Sequence, residues 1–320
     1  MKHIVIAAAA LSLAALSGQA APVKPAVADK VVSSDSFPKL EARYPGGVTG
    51  HPDVVYSVIS GFRPMTLDLY TPAKGPPKPL VIYIHGGGWA NGTARNAAAY
   101  ANFPAVLADL ASRGYVVASL NYRLAGEAKF PAATEDVDAA IRWLRAHAAE
   151  YGIDKARVAI WGGSAGGQLA ALAATDCTPG DARGGDAKGG DARGGDGKTQ
   201  SDCVQAAAIW YGVFDILTLP NGGPGAYFGA NGAKASAVTF LDAKDPPFLL
   251  IHGDNDHTVP VAQSREMSEK LKAVGVKSDY IELPGIDHSF IGKTPEATRA
   301  AHVKALQATF DFFDATVGRK

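Results

Sequence analysis

Residues 158–167 read Val-Ala-Ile-Trp-Gly-Gly-Ser-Ala-Gly-Gly, an apolar run that passes through a glycine-flanked serine. The apolar part is typical of a buried strand, and residues 167–174 continue with good helix formers. A Gly-x-Ser-x-Gly sequence between the two predicts a sharp turn that holds Ser164 in a strained backbone conformation, exposed as a nucleophile. The flanking glycines fit because larger side chains would collide in such a turn. Glycine- and serine-rich loops are common, so the partners of Ser164 decide between a nucleophile and a plain loop.

The first partner lies upstream, where an apolar strand runs into consecutive glycines. Residues 80–84 precede His85-Gly86-Gly87-Gly88-Trp89. Bare backbone N–H groups next to a nucleophile stabilise a developing oxyanion, because their dipoles are already fixed in place. We expect the N–H groups of Gly87, Gly88 and Ala165 to form this oxyanion hole. The alternative is an ordinary glycine-rich turn after a core strand.

An acid and a base follow Ser164 in the order acid, then histidine, each in a loop after a strand. Asp254 and Asp256 follow the apolar residues 248–251, and His288 follows the alternating residues 277–283. Reactive groups of open parallel sheets collect beyond such strand ends. We therefore expect His288 to act as general base toward Ser164 and Asp256 to orient the imidazole. Asp254 is expected to brace the loop or to face the substrate.

The other histidines receive lesser roles. His252 is expected to support the loop beneath the acid, and His85 to shape the oxyanion loop. His51 and His302 are interpreted as surface residues.

These motifs together resemble the α/β-hydrolase esterases, and more narrowly the hormone-sensitive-lipase-like branch with its BD-FAE-type feruloyl and acetylxylan esterase relatives. The resemblance covers about residues 54–313. One departure is Asn121, where such proteins usually carry Asp before Tyr-Arg; this position supports the fold rather than the chemistry. The segments that carry the resemblance are His85–Trp89, Asn121–Leu124, Phe130–Ala132 with Asp136, Gly162–Gly167, His252–Asp256 and Gly285–His288.

The fold class predicted is α/β: an α/β-hydrolase fold with a mostly parallel eight-stranded sheet, helices on both faces and a short lid. The lid segment between Trp210 and Phe248 is short and rich in glycine and proline, which favours an open site. Four of its aromatic residues either line the cleft or belong to the core; they are Tyr211, Phe214, Tyr227 and Phe228. The predicted strands are 54–60, 66–70, a strand ending at 84, 115–121, a strand ending at the elbow, 206–210, 248–251 and 277–283. The predicted helices are 97–112, 134–151, the elbow helix, 262–274 and 295–316.

Composition and the amino terminus bound the class of protein. The 320 residues carry 31 basic and 31 acidic side chains, so charge gives no reason to expect nucleic acid as a partner. Residues 4–16 are apolar and small residues precede Ala20, which predicts a signal peptide at residues 1–20 and export to the periplasm or the medium. The apolar run is too short to predict a membrane span. A flexible leader is expected at residues 21–45 and the hydrolase domain at residues 46–320.

A low-complexity insertion interrupts the domain at residues 178–202. Asp-Ala-Arg-Gly-Gly and close variants repeat through residues 181–198 without an aromatic or branched apolar side chain. Such a segment has nothing to bury, so a solvated loop is predicted. Cys177 and Cys203 flank the repeat, and in an exported protein such a pair predicts a disulfide. No metal site or cofactor is predicted, since the histidines and carboxylates lack metal-ligand spacing.

Three functional hypotheses follow. The leading one is a secreted serine carboxylic ester hydrolase that acts on short-chain acyl, feruloyl or acetyl-carbohydrate esters, free or linked to polysaccharide. The first alternative is an amide hydrolase of the arylformamidase type, against which the export signal argues. The second is a non-catalytic binding module, against which the presence of both Ser164 and His288 argues.

Overall fold

The structure is a computed structural model that describes residues 40–177, 200–220 and 225–318. The predicted signal peptide, residues 21–39 of the predicted leader, the repeat at 181–198 and residues 221–224 of the lid segment lie outside the described residues. The strands are β1 Ala42–Tyr44, β2 Val48–Ser57, β3 Met65–Thr71, β4 Lys78–Ile84, β5 Val116–Leu120, β6 Ile153–Gly163, β7 Ala206–Trp210, β8 Phe248–Gly253 and β9 Ser278–Leu283. The helices are α1 Phe103–Ser112, α2 Ala132–Ala146, α3 Ala148–Tyr151, α4 Ala165–Thr175, α5 Gly225–Phe228, α6 Ala262–Ala273 and α7 Pro295–Thr316.

The strands form one sheet in the order β1-β2-β3-β5-β4-β6-β7-β8-β9. The first three strands are antiparallel to their neighbours, whereas every pairing from β5 through β9 is parallel. The sheet is thus mostly parallel, as predicted. The carboxyl ends of β4, β6, β8 and β9 meet at one edge, where the loops with the predicted site residues follow.

Alternate residues of the central strands enter two separate cores, one on each face of the sheet. Ile82 and Ile160 pack with α2, α4 and α6 on one face. Val81 and Trp161 pack with α1 and α7 on the other. Helices on both faces are required because strands of this kind are apolar on both sides.

The eight predicted strands are present, and β1 is an additional one. It pairs with β2 through the register Ala42 with Gly50, and so begins inside the segment that was assigned to the leader. Three residues that are only partly buried leave no apolar pattern by which a strand can be predicted.

Two helices differ from the prediction. The helix predicted from residue 97 begins at Phe103, because the Asn102 side chain accepts a hydrogen bond from the N–H of Ala105 and Pro104 occupies the first turn. The helix predicted over 134–151 is divided at His147 into α2 and α3.

Candidate active site

Ser164 lies at the turn between β6 and α4, in a backbone conformation that only glycine adopts easily. Its φ is 56° and its ψ is −122°. The turn is tight enough that a Cβ on Gly162 would lie 2.3 Å from the carbonyl oxygen of Gly166, and a Cβ on Gly166 would lie 2.2 Å from that of Ile84. The two glycines therefore let β6, α4 and β4 approach closely. This geometry presents the serine at the carboxyl edge of the sheet.

The structure brings Ser164, His288 and Asp256 together in a chain of hydrogen bonds. His288 Nε2 lies 3.0 Å from Ser164 Oγ. His288 Nδ1 lies 2.7 Å from Asp256 Oδ2. Because a carboxylate only accepts, Nδ1 carries the proton and Nε2 is left to accept the serine O–H. The arrangement is suited to removing the proton of Ser164 during an attack.

The side chain of Asp256 is fully buried and accepts hydrogen bonds on both carboxylate oxygens. Oδ1 accepts from the backbone N–H groups of Thr258 and Val259, both at 2.8 Å. Oδ2 accepts from His288 and from His252, whose Nε2 lies 3.1 Å away. Burial by itself would raise the pKa of Asp256, but hydrogen bonds from the two histidines outweigh it and hold that pKa well below its ordinary value. The carboxylate is therefore ionised at neutral pH.

The loop that carries Asp256 is joined to the loop that carries His288. Asp254 Oδ1 accepts a hydrogen bond from the N–H of Gly285 at 2.6 Å, which is the bracing contact that the sequence left open. Asp287 Oδ1 accepts from the N–H group of His257, the direct neighbour of Asp256, and from that of His288. These contacts fix the spacing between Asp256 and His288. No role for Asp287 is predicted from the sequence.

The predicted oxyanion loop lies against the serine. A Cβ on Gly86 would lie 2.8 Å from the carbonyl oxygen of Gly163 and 3.3 Å from Ser164 Cβ, so glycine at this position permits the close approach. Gly87 has φ 115°, and a Cβ there would be 2.2 Å from the carbonyl oxygen of Asn91. Gly88 is exposed, and among the described residues nothing comes within 4 Å of its Cβ position. Ala165 is the first residue of α4, where backbone N–H groups lack helical partners.

Two buried side chains fix the conformation of this loop. His85 stacks on Tyr122 with ring centroids 4.4 Å apart, and its Nδ1 lies 2.7 Å from the carbonyl oxygen of Gly86. Burial lowers the pKa of His85 to about 4, so its imidazole is neutral at physiological pH. The Nε1–H of Trp89 donates to Gln168 Oε1 at 2.9 Å, and Gln168 Nε2 donates to the carbonyl oxygen of Ala235. Gln168 thus joins the oxyanion loop to the lid segment, a role that the sequence did not indicate.

Four aromatic residues of the lid segment belong to the core. All four are at most 5% exposed, and they are Tyr211, Phe214, Tyr227 and Phe228. Phe228 packs edge-on against Trp89 at 5.0 Å, which seats α5 on the oxyanion loop. Of the two interpretations made from the sequence, the core is the one observed. Gly87 and Gly88 are exposed.

Cys177 and Cys203 form a disulfide. Arg145 of α2 donates to the carbonyl oxygens of Ser201 and Cys203, both at 2.6 Å, and Arg142 pairs with the buried carboxylate of Asp202. The two ends of the insertion are therefore fixed to the domain at the carboxyl end of α4. Ser164 lies at the opposite end of that helix.

Residues 40–177, 200–220 and 225–318 contain no group of three or more His, Cys, Asp or Glu side chains placed to hold a metal ion. Within the same ranges no helix combines the length and apolar character needed to cross a bilayer.

Comparison with known proteins places this chain among esterases. The BD-FAE family model matches residues 67–271. A probable carboxylic ester hydrolase of Mycobacterium tuberculosis, LipM, is 34% identical over 243 residues, which are 70% of this chain and 52% of LipM. The chain spans little more than half the length of the curated relatives that it matches first.

Two solved structures have the same fold over most of their length. A truncated carbohydrate esterase from gut microbiota superposes with a TM-score of 0.67 and 27% identity, covering 87% of this chain and 98% of the other. An acetyl ester-xyloside bifunctional hydrolase from Caldicellulosiruptor lactoaceticus superposes with a TM-score of 0.66 and 26% identity, covering 80% and 92%. The predicted α/β-hydrolase fold is thereby confirmed.

Proposed function

The chain belongs to the BD-FAE family, as its motifs predicted, and from that premise we propose that it is a serine carboxylic ester hydrolase whose catalytic residues are Ser164, His288 and Asp256. The observation that carries the proposal is the continuous hydrogen-bond chain from the buried Asp256 through His288 to a serine held at φ 56°. These hydrogen bonds combine a nucleophile, a base and a group that orients the base, as acyl transfer requires.

The proposed reaction proceeds in two halves. His288 Nε2 takes the proton of Ser164 as Oγ attacks the ester carbonyl, and the N–H groups of Gly87, Gly88 and Ala165 stabilise the oxyanion that forms. The imidazolium then gives its proton to the alkoxide that leaves, and an acyl-serine remains. Water then attacks the acyl-serine while the same nitrogen takes one of its protons. The bond from the acyl carbon to Ser164 Oγ breaks, the imidazolium returns the proton to Oγ, and the acid is released. Asp256 stays ionised throughout and stabilises the imidazolium.

The proposed substrates are esters with short acyl groups, including acetyl or feruloyl groups on carbohydrate. The exposed Gly87 and Gly88 and the inward-facing lid aromatics support this, because an open site admits a bulky or extended alcohol. Two proteins with the same fold are described as a carbohydrate esterase and an acetyl ester-xyloside hydrolase, which agrees with such an alcohol.

The test is a hydrolysis panel with wild-type protein and Ser164→Ala. The panel contains p-nitrophenyl esters of increasing acyl length, acetylated xylan, methyl ferulate and N-formylkynurenine. We expect hydrolysis of acetyl or feruloyl esters by the wild type and loss of turnover by several orders of magnitude in Ser164→Ala. A folded Ser164→Ala protein that retains more than about a tenth of the activity would contradict the assignment of the nucleophile. Preferential hydrolysis of N-formylkynurenine would favour the amidase alternative.

We also propose that the protein is exported to the periplasm or the medium. The apolar residues 4–16 and the disulfide between Cys177 and Cys203 support this, since disulfides persist in oxidising compartments. Cell fractionation with amino-terminal sequencing of the recovered protein tests it. An uncleaved chain found only in the cytoplasm would contradict export.

A further inference from the structure

A second imidazole contacts the proposed catalytic acid. His252, the fifth residue of β8, is completely buried, and its Nε2 lies 3.1 Å from Asp256 Oδ2 and 3.0 Å from the carbonyl oxygen of Val259. Its Nδ1 lies 2.6 Å from the hydroxyl of Ser264 on α6. The chain of contacts at the active site therefore extends beyond Asp256 to His252, and Ser264 contacts only the far side of that ring.

The partners of His252 determine which nitrogen carries a proton. A carboxylate and a backbone carbonyl are both acceptors, so Nε2 must be the donor to Asp256 and Val259. The hydroxyl of Ser264 can donate or accept a hydrogen bond, so it pairs with Nδ1 whether or not that nitrogen carries a proton. His252 Nε2–H is thus a fixed donor to the same oxygen that accepts from His288.

This donor completes the hydrogen bonding of a buried charge. Asp256 Oδ1 already accepts two backbone N–H groups, while Oδ2 would otherwise have His288 alone. A buried carboxylate oxygen with an unfilled acceptor position is costly, and without a second donor it would attract the proton of His288 more strongly. Two donors on one oxygen instead fix its position and divide its charge between them.

We propose that His252 is a positioning residue for the hydrolytic reaction, whose Nε2–H holds Asp256 Oδ2 in line with His288 Nδ1 and limits how strongly the carboxylate attracts the proton of His288. The proposal rests on the catalytic assignment made above. It predicts that loss of the donor lowers turnover and makes His288 more basic, while substrate binding is unaffected, since His252 is buried and does not reach the substrate side.

Other titratable and charged groups near the two histidines remain unchanged in the test. Glu282 on β9 is in register with His252 and is held by Arg265 and Tyr280. The side chains that face His288 are Asp256, Ser164 and the ring of Tyr211, whose centroid is 4.8 Å away. The adjacent carboxylate of Asp287 accepts the backbone N–H of His288 and lies 3.1 Å from His257 Nδ1, and it too is unchanged in the test.

The experiment compares His252→Gln, His252→Phe and Ser264→Ala with the wild type. Gln keeps an N–H donor near the position of Nε2, Phe fills the site without a donor, and Ser264→Ala disturbs the same buried region while leaving Nε2–H in place. We expect His252→Phe to lose about tenfold to a hundredfold in kcat with KM nearly unchanged, because one charge-assisted hydrogen bond is removed. The acid limb of its kcat/KM profile should move to higher pH, because a more basic His288 stays protonated longer.

His252→Gln should restore most of kcat and return the acid limb to its wild-type position, and Ser264→Ala should resemble the wild type. Two outcomes would overturn the proposal. One is a folded His252→Phe protein with wild-type kcat and an unmoved acid limb. The other is an equal loss in all three variants without a pH shift, which would mean that His252 only packs.

A second measurement does not depend on turnover. The Nδ1–H proton of His288 is hydrogen-bonded to Asp256, and its NMR resonance reports the strength of that bond. We expect the resonance to move in His252→Phe and to stay in place in His252→Gln, whether or not Ser164→Ala abolishes hydrolysis. A resonance unchanged in His252→Phe overturns the role of His252, whereas activity retained by Ser164→Ala overturns only the catalytic assignment.

Discussion

Asp254 and Asp256 lie two residues apart, and their hydrogen bonds indicate different roles for them. Asp256 is buried and accepts four hydrogen bonds, one of them from His288. Asp254 is exposed and contacts the backbone N–H of Gly285, three residues before the base. The carboxylate of Asp256 thus faces the imidazole of His288, and that of Asp254 holds the loop that carries His288.

We predict that Asp256→Asn lowers kcat by orders of magnitude, because an amide at Oδ2 favours the wrong imidazole tautomer. Asp254→Asn should cost much less, since the amide oxygen still accepts from Gly285. Steady-state kinetics of the two variants, with circular dichroism as the check on folding, measures the ranking. A larger loss in Asp254→Asn would transfer the role of acid to that residue.

The candidate site residues that could be predicted from the sequence lie in local motifs, and those that could not be predicted depend on contacts between distant segments. Ser164, Asp256 and His288 follow strand ends in motifs that are local in the chain. Gln168 contacts Trp89, which is 79 residues away, and nothing in the sequence near either residue indicates that contact. Buried polar contacts between distant segments depend on tertiary packing, so they became visible only in the structure.

His302 is a correction of the same kind. It was interpreted as a surface residue, but it is 6% exposed and packs against Tyr100 and Phe290 from the inner face of α7. One histidine in a helix that is otherwise mixed in polarity gives no sign of the face on which it lies.

At the scale of elements, the strands were predictable because parallel strands buried on both faces appear as continuous apolar runs. The position of a helix start depends instead on a single cap, such as Asn102, and the start was therefore less predictable.

Helix α4 separates the proposed catalytic serine from the insertion. Ser164 precedes its first residue, and Cys177 follows its last residue by two positions. Eleven residues of α-helix span about 16 Å, so the two ends lie on opposite edges of the sheet. The disulfide and the arginines of α2 hold the ends of the insertion at the edge away from the serine.

We therefore predict that deletion of residues 181–198 leaves kcat/KM on a small ester nearly unchanged. The melting temperature should stay equal or rise slightly, because a shorter loop costs less entropy to close. Kinetics and thermal unfolding of the deletion variant test this, with Ser164→Ala as the inactive control. A folded deletion variant with strongly reduced activity would show that the insertion acts at the site.

At the scale of the whole molecule, two buried histidines make folding sensitive to acid. Burial lowers the pKa of His85 to about 4 and also lowers that of His302. Both histidines are neutral in the folded protein near neutral pH. In the unfolded chain they have the ordinary histidine pKa of about 6.5, so they take up protons as the pH falls below that value. The free energy of unfolding is therefore unaffected by these two histidines above about pH 6.5 and decreases as the pH falls from there toward their pKa values in the folded protein. Asp245 opposes this trend, because burial raises its pKa to about 6.

We predict that the free energy of unfolding decreases between about pH 7 and about pH 5, by about 2 kcal/mol from His85 alone, since ordinary carboxyl groups remain mostly ionised over this range. Asp245→Asn should show a steeper decrease, because it removes the carboxyl group that gains a proton in the folded state. His302→Phe should show a shallower one, since it keeps an aromatic ring against Tyr100 and removes a titrating group. Urea unfolding of the three proteins at both pH values measures the slopes. If the free energy in Asp245→Asn were constant or higher at the lower pH, His85 would not be held neutral, and the oxyanion loop beside it would carry a charge.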